Sequence, residues 1–305
     1  MKIIQSFWGN ALMENIVRRT NGGWPEKKYC YMSQALSCLQ IAKFHGEVEL
    51  ITDTEGKRLL SGEMGLPYTS IRVDLDILQD YPGECWPIKN LFAYSLQKEP
   101  FIHVDGDVYI PGKLDHLVDT TGLLLAENKA NIYSEPLQGV LHHIILKLID
   151  KPDYLTGPPT KLINIFNLGI FGGNDISFIL DFAGDCLKTL HSNTSFIKEN
   201  FGFGLDDFRY QEIHLSDVVN LLFGAYMFTA FTARKGKRVV SIFDTVDYTF
   251  AKNIQNILAS TDLTYIHPVF TKRSNAACHQ LEQKLRQHYP AYYYKILSLI
   301  NDFSI

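Results

Sequence analysis

Asp105 and Asp107 flank a single glycine at the end of an apolar run, in the segment Pro-Phe-Ile-His-Val-Asp-Gly-Asp-Val-Tyr-Ile at residues 100–110. Phe101–Val104 reads as a buried strand and Val108–Ile110 as its continuation. Two carboxylates in such a place are costly to bury unless something positive compensates them. A divalent cation does so. Aspartate oxygens are hard donors suited to Mg²⁺ or Mn²⁺, and such sites commonly share the metal with phosphates. Gly106 removes a side chain where a ligand must come close. The plainer alternative is a sharp turn with hydrogen-bonded carboxylates. Asp74-Leu75-Asp76 has the same spacing but reads as a solvated loop after a strand.

Two further stretches carry groups able to do chemistry. His267 follows an expected strand at 263–266 and precedes Pro268, with Lys272 and Arg273 five and six residues on. A lone histidine is more often structural, yet beside a dicarboxylate site a neutral imidazole can be a third metal ligand. A nearby lysine can neutralise charge that develops on a departing group. The run Asn167-Leu168-Gly169-Ile170-Phe171-Gly172-Gly173-Asn174-Asp175 reads as a turn whose Asn174 or Asp175 caps the next helix. It equally sets an amide, bare backbone and a carboxylate at a strand end, groups suited to sugar hydroxyls. Neither Gly-x-Gly-x-x-Gly nor a Walker-type phosphate loop occurs, and there is no Gly-x-Ser-x-Gly elbow. The acidic pair lies too far from the first strand for a haloacid-dehalogenase phosphatase and lacks the further ligands of an EF-hand.

The elements that must position these groups alternate between strand and helix. Strands are expected at 3–8, 48–52, 70–73, 101–104, 122–126, 161–166, 238–243 and 263–266. Helices are expected at 29–44, 55–60, 86–97, 140–149, 175–190, 215–232, 274–288 and 291–300, the last two broken by Pro290. Such alternation implies an α/β fold: a mainly parallel central sheet with helices on both faces, in one compact domain. Ligands in such sheets collect at the carboxyl ends of the strands, where Asp53 and Asp105 both sit.

Composition narrows the function. The 305 residues carry a formal net charge of −4 and are 46% hydrophobic, ordinary globular values that give a nucleic-acid binder no basic surface. Cys30, Cys38, Cys85, Cys186 and Cys278 form no Cys-x-x-Cys pair, which argues for reduced thiols in a cytoplasmic protein and against zinc. The N-terminus reads as a strand rather than a signal peptide. The longest uncharged run, Val218–Ala233, falls short of the ~20 residues of a membrane span and reads as a buried helix. The basic cluster Arg234–Arg238 behind it leaves room for peripheral membrane contact at most.

Together these pieces resemble nucleotide-sugar glycosyltransferases of the GT-A (Rossmann-like) fold. The likeness is closest to the glycogenin and bacterial galactosyltransferase group, and extends to uncharacterised bacterial proteins with a similar His-x-Asp-Gly-Asp-Val segment. The order of parts matches: an N-terminal strand, Asp-Gly-Asp, an Asn-x-Gly element and a late His…Lys segment. The resemblance implies that Asp105, Asp107 and His267 hold Mn²⁺ (or Mg²⁺), which grips the diphosphate of a donor such as a UDP-sugar beside Gly106. It implies a diphosphate contact for Lys272 and a role for Lys89, one helix before the motif. It sets Asn167, with Gly172 and Gly173, near the transferred sugar, and Phe7 and Trp8 at the end of the first strand beside the nucleotide base, with Asp53 at the neighbouring strand end. It divides the chain into a nucleotide-binding half, 1–115, and an acceptor half, 116–305, with the C-terminal helices. The implied reaction is sugar transfer to a hydroxyl of a glycan, lipid or peptide, with retention. Were the enzyme to invert, Asp175 or Glu212 would be the base. The late motif departs from the group's pattern: the gap from His267 to Lys272 is one residue short and its glycine is missing, so Arg273 competes with Lys272. The alternatives are a sugar-phosphate nucleotidyltransferase and a non-catalytic carbohydrate-binding protein on a degenerate transferase fold.

Overall fold

A computed structural model describes residues 1–13, 20–110, 112–113, 124–128, 135–156, 166–201, 215–241, 267–268 and 272–302. In chain order the elements used below are β1 (Lys2–Phe7), α1 (Gly9–Met13), α2 (Lys27–His45), β2 (Glu49–Thr52), α3 (Thr54–Gly56, continued by a π-helical stretch Lys57–Glu63), β3 (Ser70–Val73), α4 (Ile88–Ser95) and β4 (Phe101–Val104). There follow β5 (Leu124–Asn128), α5 (Glu135–Lys147), β6 (Phe166–Gly173), α6 (Ile176–Ser192), α7 (Thr194–Phe201), α8 (Leu215–Leu221), α9 (Met227–Arg234), β7 (Val239–Ser241), α10 (Asn275–His288) and α11 (Pro290–Asn301). The chain gathers into two compact units. One comprises Met1–Ile77, Ile102–Thr120 and Asp244–Ile305; the other comprises Leu78–Phe101 and Thr121–Phe243.

In the first unit the strands run in the order β3-β2-β1-β4, with β1 parallel to β2 and β2 parallel to β3. This is the mainly parallel sheet that the strand–helix alternation implies. All but the first residue of β1 is buried, as in a central parallel strand covered on both faces. Its polar residues therefore need partners. Gln5 donates to Ser37 Oγ (2.8 Å) and Ser6 Oγ lies 2.9 Å from His103 Nε2. Helix α2 is buried from Cys30 to Ile41 with one break, Gln34, which is half-buried. Among the described residues no helix is long and apolar enough to cross a membrane, and all five cysteines are free and buried.

In the second unit β6, β5 and β7 lie in that order, β5 antiparallel to β6 and parallel to β7. Its core is aromatic. Phe171 meets Tyr94 at 4.7 Å and Phe228 at 5.1 Å between ring centroids, and Phe182 meets Phe228 at 5.2 Å.

Most expected elements form with shifted ends: β5 and α5 are found at Leu124–Asn128 and Glu135–Lys147, and α4 is shorter than expected. The glycine-rich run is a correction, because residues 166–173 are strand rather than turn. Leu168, Ile170 and Phe171 are buried along it, and that burial outweighs the turn preference of its glycines. The expected strands at 161–165 and 263–266 lie outside the described residues.

At the carboxyl ends of β1 and β2, Asp53 is fully buried and accepts N–H groups from Gly9, Asn10 and Gly56, each at 2.8 Å. It ties the chain leaving β1 to the chain leaving β2. Asp53→Ala strands these donors, and urea unfolding is expected to show a loss of about 3 kcal/mol with an unchanged m-value.

Candidate metal centre

Beyond Val104 the strand is interrupted, and Tyr109 then makes a single β-bridge. Asp105–Val108 is a tight turn, closed by Val108 N–H donating to the Asp105 carbonyl at 3.0 Å. Helix α2 holds it from beneath. Ser37 Oγ donates to the Val108 carbonyl at 2.6 Å, with the Asp105 carbonyl at 3.3 Å. Ser33 Oγ donates to the Gly106 carbonyl at 3.1 Å and accepts from Tyr109 OH at 2.8 Å. Behind Ser37, Tyr68 OH donates to Gln5 Oε1 at 3.1 Å, so a relay runs from half-buried Tyr68 through buried Gln5 and Ser37 to the turn. Backbone groups that would have paired in a strand are thus satisfied by the helix.

The acidic groups converge with His267. Ligand atoms of Asp105, Asp107 and His267 all lie within 4.8 Å of one another. His267 Nε2 is 3.5 Å from Asp107 Oδ2, and Lys272 Nζ pairs with that same oxygen. His103, fully buried, sets its Nδ1 3.9 Å from Asp105 Oδ1. Two carboxylates and an imidazole at this spacing are a hard donor set that fits Mn²⁺ or Mg²⁺. Burial opposes ionisation of Asp107, but the Lys272 charge and His267 outweigh it and hold its carboxyl well below the usual range.

Lys272 also donates to the Gly22 carbonyl at 2.8 Å and lies 6.0 Å from the Trp24 ring centre. That carbonyl belongs to a turn in which Asn21, Gly22 and Gly23 take φ of 70°, 62° and 87°, a left-handed run that glycine makes cheap. Cys30 lies nearby, and burial pushes its thiol up to about 12, so it is no thiolate nucleophile at neutral pH.

The first unit therefore brings together Asp105, Gly106, Asp107, His267 and Lys272. Arg273 is exposed, one residue before Ser274, which caps α10 by accepting from Ala277 N–H at 3.2 Å. Phe7 and Trp8 are buried at the end of β1. In the second unit Lys89 bonds Asn90 and lies 5.2 Å from the Trp86 ring centre. Asn167 Oδ1 accepts from Gly169 N–H at 2.8 Å, and Gly172 and Gly173 end β6. Of the two expected caps it is Asp175 that starts α6, accepting from Phe178 N–H at 3.1 Å while paired with Lys237, whose contact lowers its pKa. Glu212 lies outside the described residues. Sequence reasoning passed over Ser33, Ser37, Ser6 and His103. The one signal for the serines is their spacing, two hydroxyls four residues apart and so on one face of the helix.

A family model described as a family of unknown function (DUF6734) matches residues 1–299. The chain belongs to this family. No curated protein matches the DUF6734 chain. Among solved structures it is similar to the galactosyltransferase LgtC, at 14% identity over 73% of this chain and 70% of that one, with a TM-score of 0.37. It is similar to mouse xyloside xylosyltransferase 1 at 9% identity, 87% and 96% coverage and a TM-score of 0.42. It is similar to the bifunctional glycosyltransferase WbbM at 12% identity and a TM-score of 0.47, covering 97% of this chain and about half (51%) of that one. All three are glycosyltransferases. At these scores the likeness says nothing of individual residues, and the DUF6734 site rests on its own geometry.

The Lys272–Asp107 pair makes stability depend on pH. Because the folded pKa of Asp107 is depressed, the pair stabilises fully above the ordinary carboxylate pKa of about 3.9 and loses its effect as pH falls through the folded value. Lys272→Met is expected to cost about 2 kcal/mol at pH 7, less than a fully buried pair because both side chains keep some solvent contact. Denaturation at stepped pH should show the gap to wild type closing in acid. A gap independent of pH would contradict this account of the pair.

Proposed function

We propose that this chain is a metal-dependent glycosyltransferase that moves a sugar from a nucleotide-diphosphate donor, a UDP-sugar in the first instance, to an acceptor hydroxyl of a glycan, lipid or peptide. The observation that carries the reading is the convergence of Asp105, Asp107 and His267 on one turn, with the Lys272 ammonium beside them. Asp105, Asp107 and His267 would hold Mn²⁺ or Mg²⁺. Bound there, the cation supplies Lewis-acid charge to the diphosphate oxygens.

The chain's own groups do the rest. Lys272, or Arg273 next to it, adds positive charge to the departing diphosphate. In the transfer, the bond from the anomeric carbon to the diphosphate oxygen breaks, a bond to the acceptor oxygen forms and the acceptor proton is released. Retention is the stereochemistry that the sequence resemblance favours. For inversion the proton would pass to Asp175 or Glu212. The pairing of Asp175 with Lys237 keeps it ionised, free to accept a proton but a weak base. Asn167, Gly172 and Gly173 are assigned to the donor sugar, Lys89 to the diphosphate, and Phe7 and Trp8 to the base. Asp53 spends both oxygens on backbone N–H groups, and we assign it to holding the strand ends.

The test is hydrolysis of a panel of sugar nucleotides with Mn²⁺, Mg²⁺ or EDTA. Wild type is expected to release sugar only with metal. Asp105→Ala combined with Asp107→Ala is expected to lose at least a hundredfold in rate while keeping its fold. Equal turnover by the variant would sink the metal assignment. Release of pyrophosphate from a nucleoside triphosphate and a sugar phosphate would instead favour a nucleotidyltransferase. Sugar binding with neither metal nor nucleotide would favour a carbohydrate-binding protein.

A further inference from the structure

Gln34 is the one residue between Cys30 and Ile41 of α2 that reaches solvent, and it does so at the Asp105–Val108 turn. A methyl group built on Gly106 would fall 1.9–2.1 Å from Gln34 Oε1, Cδ and Nε2. The amide therefore lies across the glycine that separates the two carboxylates, in the space a side chain there would need. Its neighbours on the helix are committed elsewhere: Ser33 and Ser37 hold the carbonyls of the turn. The Gln34 side chain has no hydrogen-bond partner among the described residues.

Glycine between the aspartates is not needed for a left-handed backbone, since Gly106 is not among the positive-φ residues. What it provides is room for this amide. An amide oxygen is a hard, neutral donor of the type that completes oxygen coordination of Mg²⁺, Mn²⁺ and Ca²⁺ beside carboxylates.

We propose that Gln34 is a further oxygen donor to the cation held by Asp105, Asp107 and His267, directly or through one bound water, and that Gly106 is glycine so that Gln34 can reach it. This rests on the metal-site reading above. It adds a ligand from helix α2, a neutral residue 71 positions before the first aspartate, and asks nothing of the donor or acceptor.

The test is calorimetric titration of the full chain with MnCl₂, without nucleotide, alongside thermal melts. Gln34→Leu, which keeps the bulk and removes the oxygen, is expected to weaken Mn²⁺ binding about tenfold, the lower end of what loss of a supporting ligand costs. Gln34→Glu keeps an oxygen in place and is expected to bind at least as tightly as wild type. Gly106→Ala displaces the amide and is expected to match Gln34→Leu. The double variant should then be no weaker than either single one, because both remove the same interaction. Wild-type affinity in Gln34→Leu with an unchanged melt overturns the proposal and leaves the three-residue site standing. Losses that multiply in the double variant overturn the link between Gly106 and Gln34. If wild type itself takes up no Mn²⁺, both the site reading and this proposal fall.

Discussion

Two carboxylates separated by one glycine, at a turn with little solvent, repel each other and lose hydration together. They can stay charged only if positive charge stands near and the peptide groups around them are satisfied by something else. Much of the first unit meets one of these needs. Lys272 and His267 supply the charge at Asp107. Ser33 and Ser37 take up the carbonyls of the turn. His103 stands beside Asp105 and is itself held by Ser6.

The cost of this arrangement is visible beneath it. A central parallel strand and a helix buried on nearly all sides would ordinarily be apolar, yet β1 carries Gln5 and Ser6 and α2 carries Ser33 and Ser37. Each is buried and each is bonded. A partly satisfied network in such a place would be worse than an apolar core; a fully satisfied one fixes a single geometry. The turn is thus set from below by helix and strand rather than by its own loop, which suits a site whose ligand atoms must hold their spacing.

Much of this was legible in the sequence, for definite reasons. The strand–helix alternation was strong enough to give the sheet, and Asp-Gly-Asp stood out because its apolar surroundings made charge conspicuous. His267 is a candidate third ligand by its chemistry and by resemblance, but 160 residues separate it from Asp107 and no local pattern links them. Local propensity misleads at the glycine-rich run 167–173, where buried Leu168, Ile170 and Phe171 keep the chain extended. The strand expected on both sides of Asp-Gly-Asp is interrupted by the Asp105–Val108 turn, after which Tyr109 makes a single β-bridge. The serine clamp was missed because hydroxyls in a helix usually face water, and only the packing of α2 shows that these do not.

The centre is assembled from distant parts of the chain. Lys272 bonds the carbonyl of Gly22 across 250 residues, and the first unit is made of an early, a middle and a late segment. A chain emerging from the ribosome would present the two aspartates, with helix α2 already beneath them, long before their positive partners exist. At about 5–20 residues per second, that interval is on the order of ten seconds or more. During it the acidic turn is an unbalanced charge pair, and a segment some 160 residues further along closes the centre that the earlier segments have prepared.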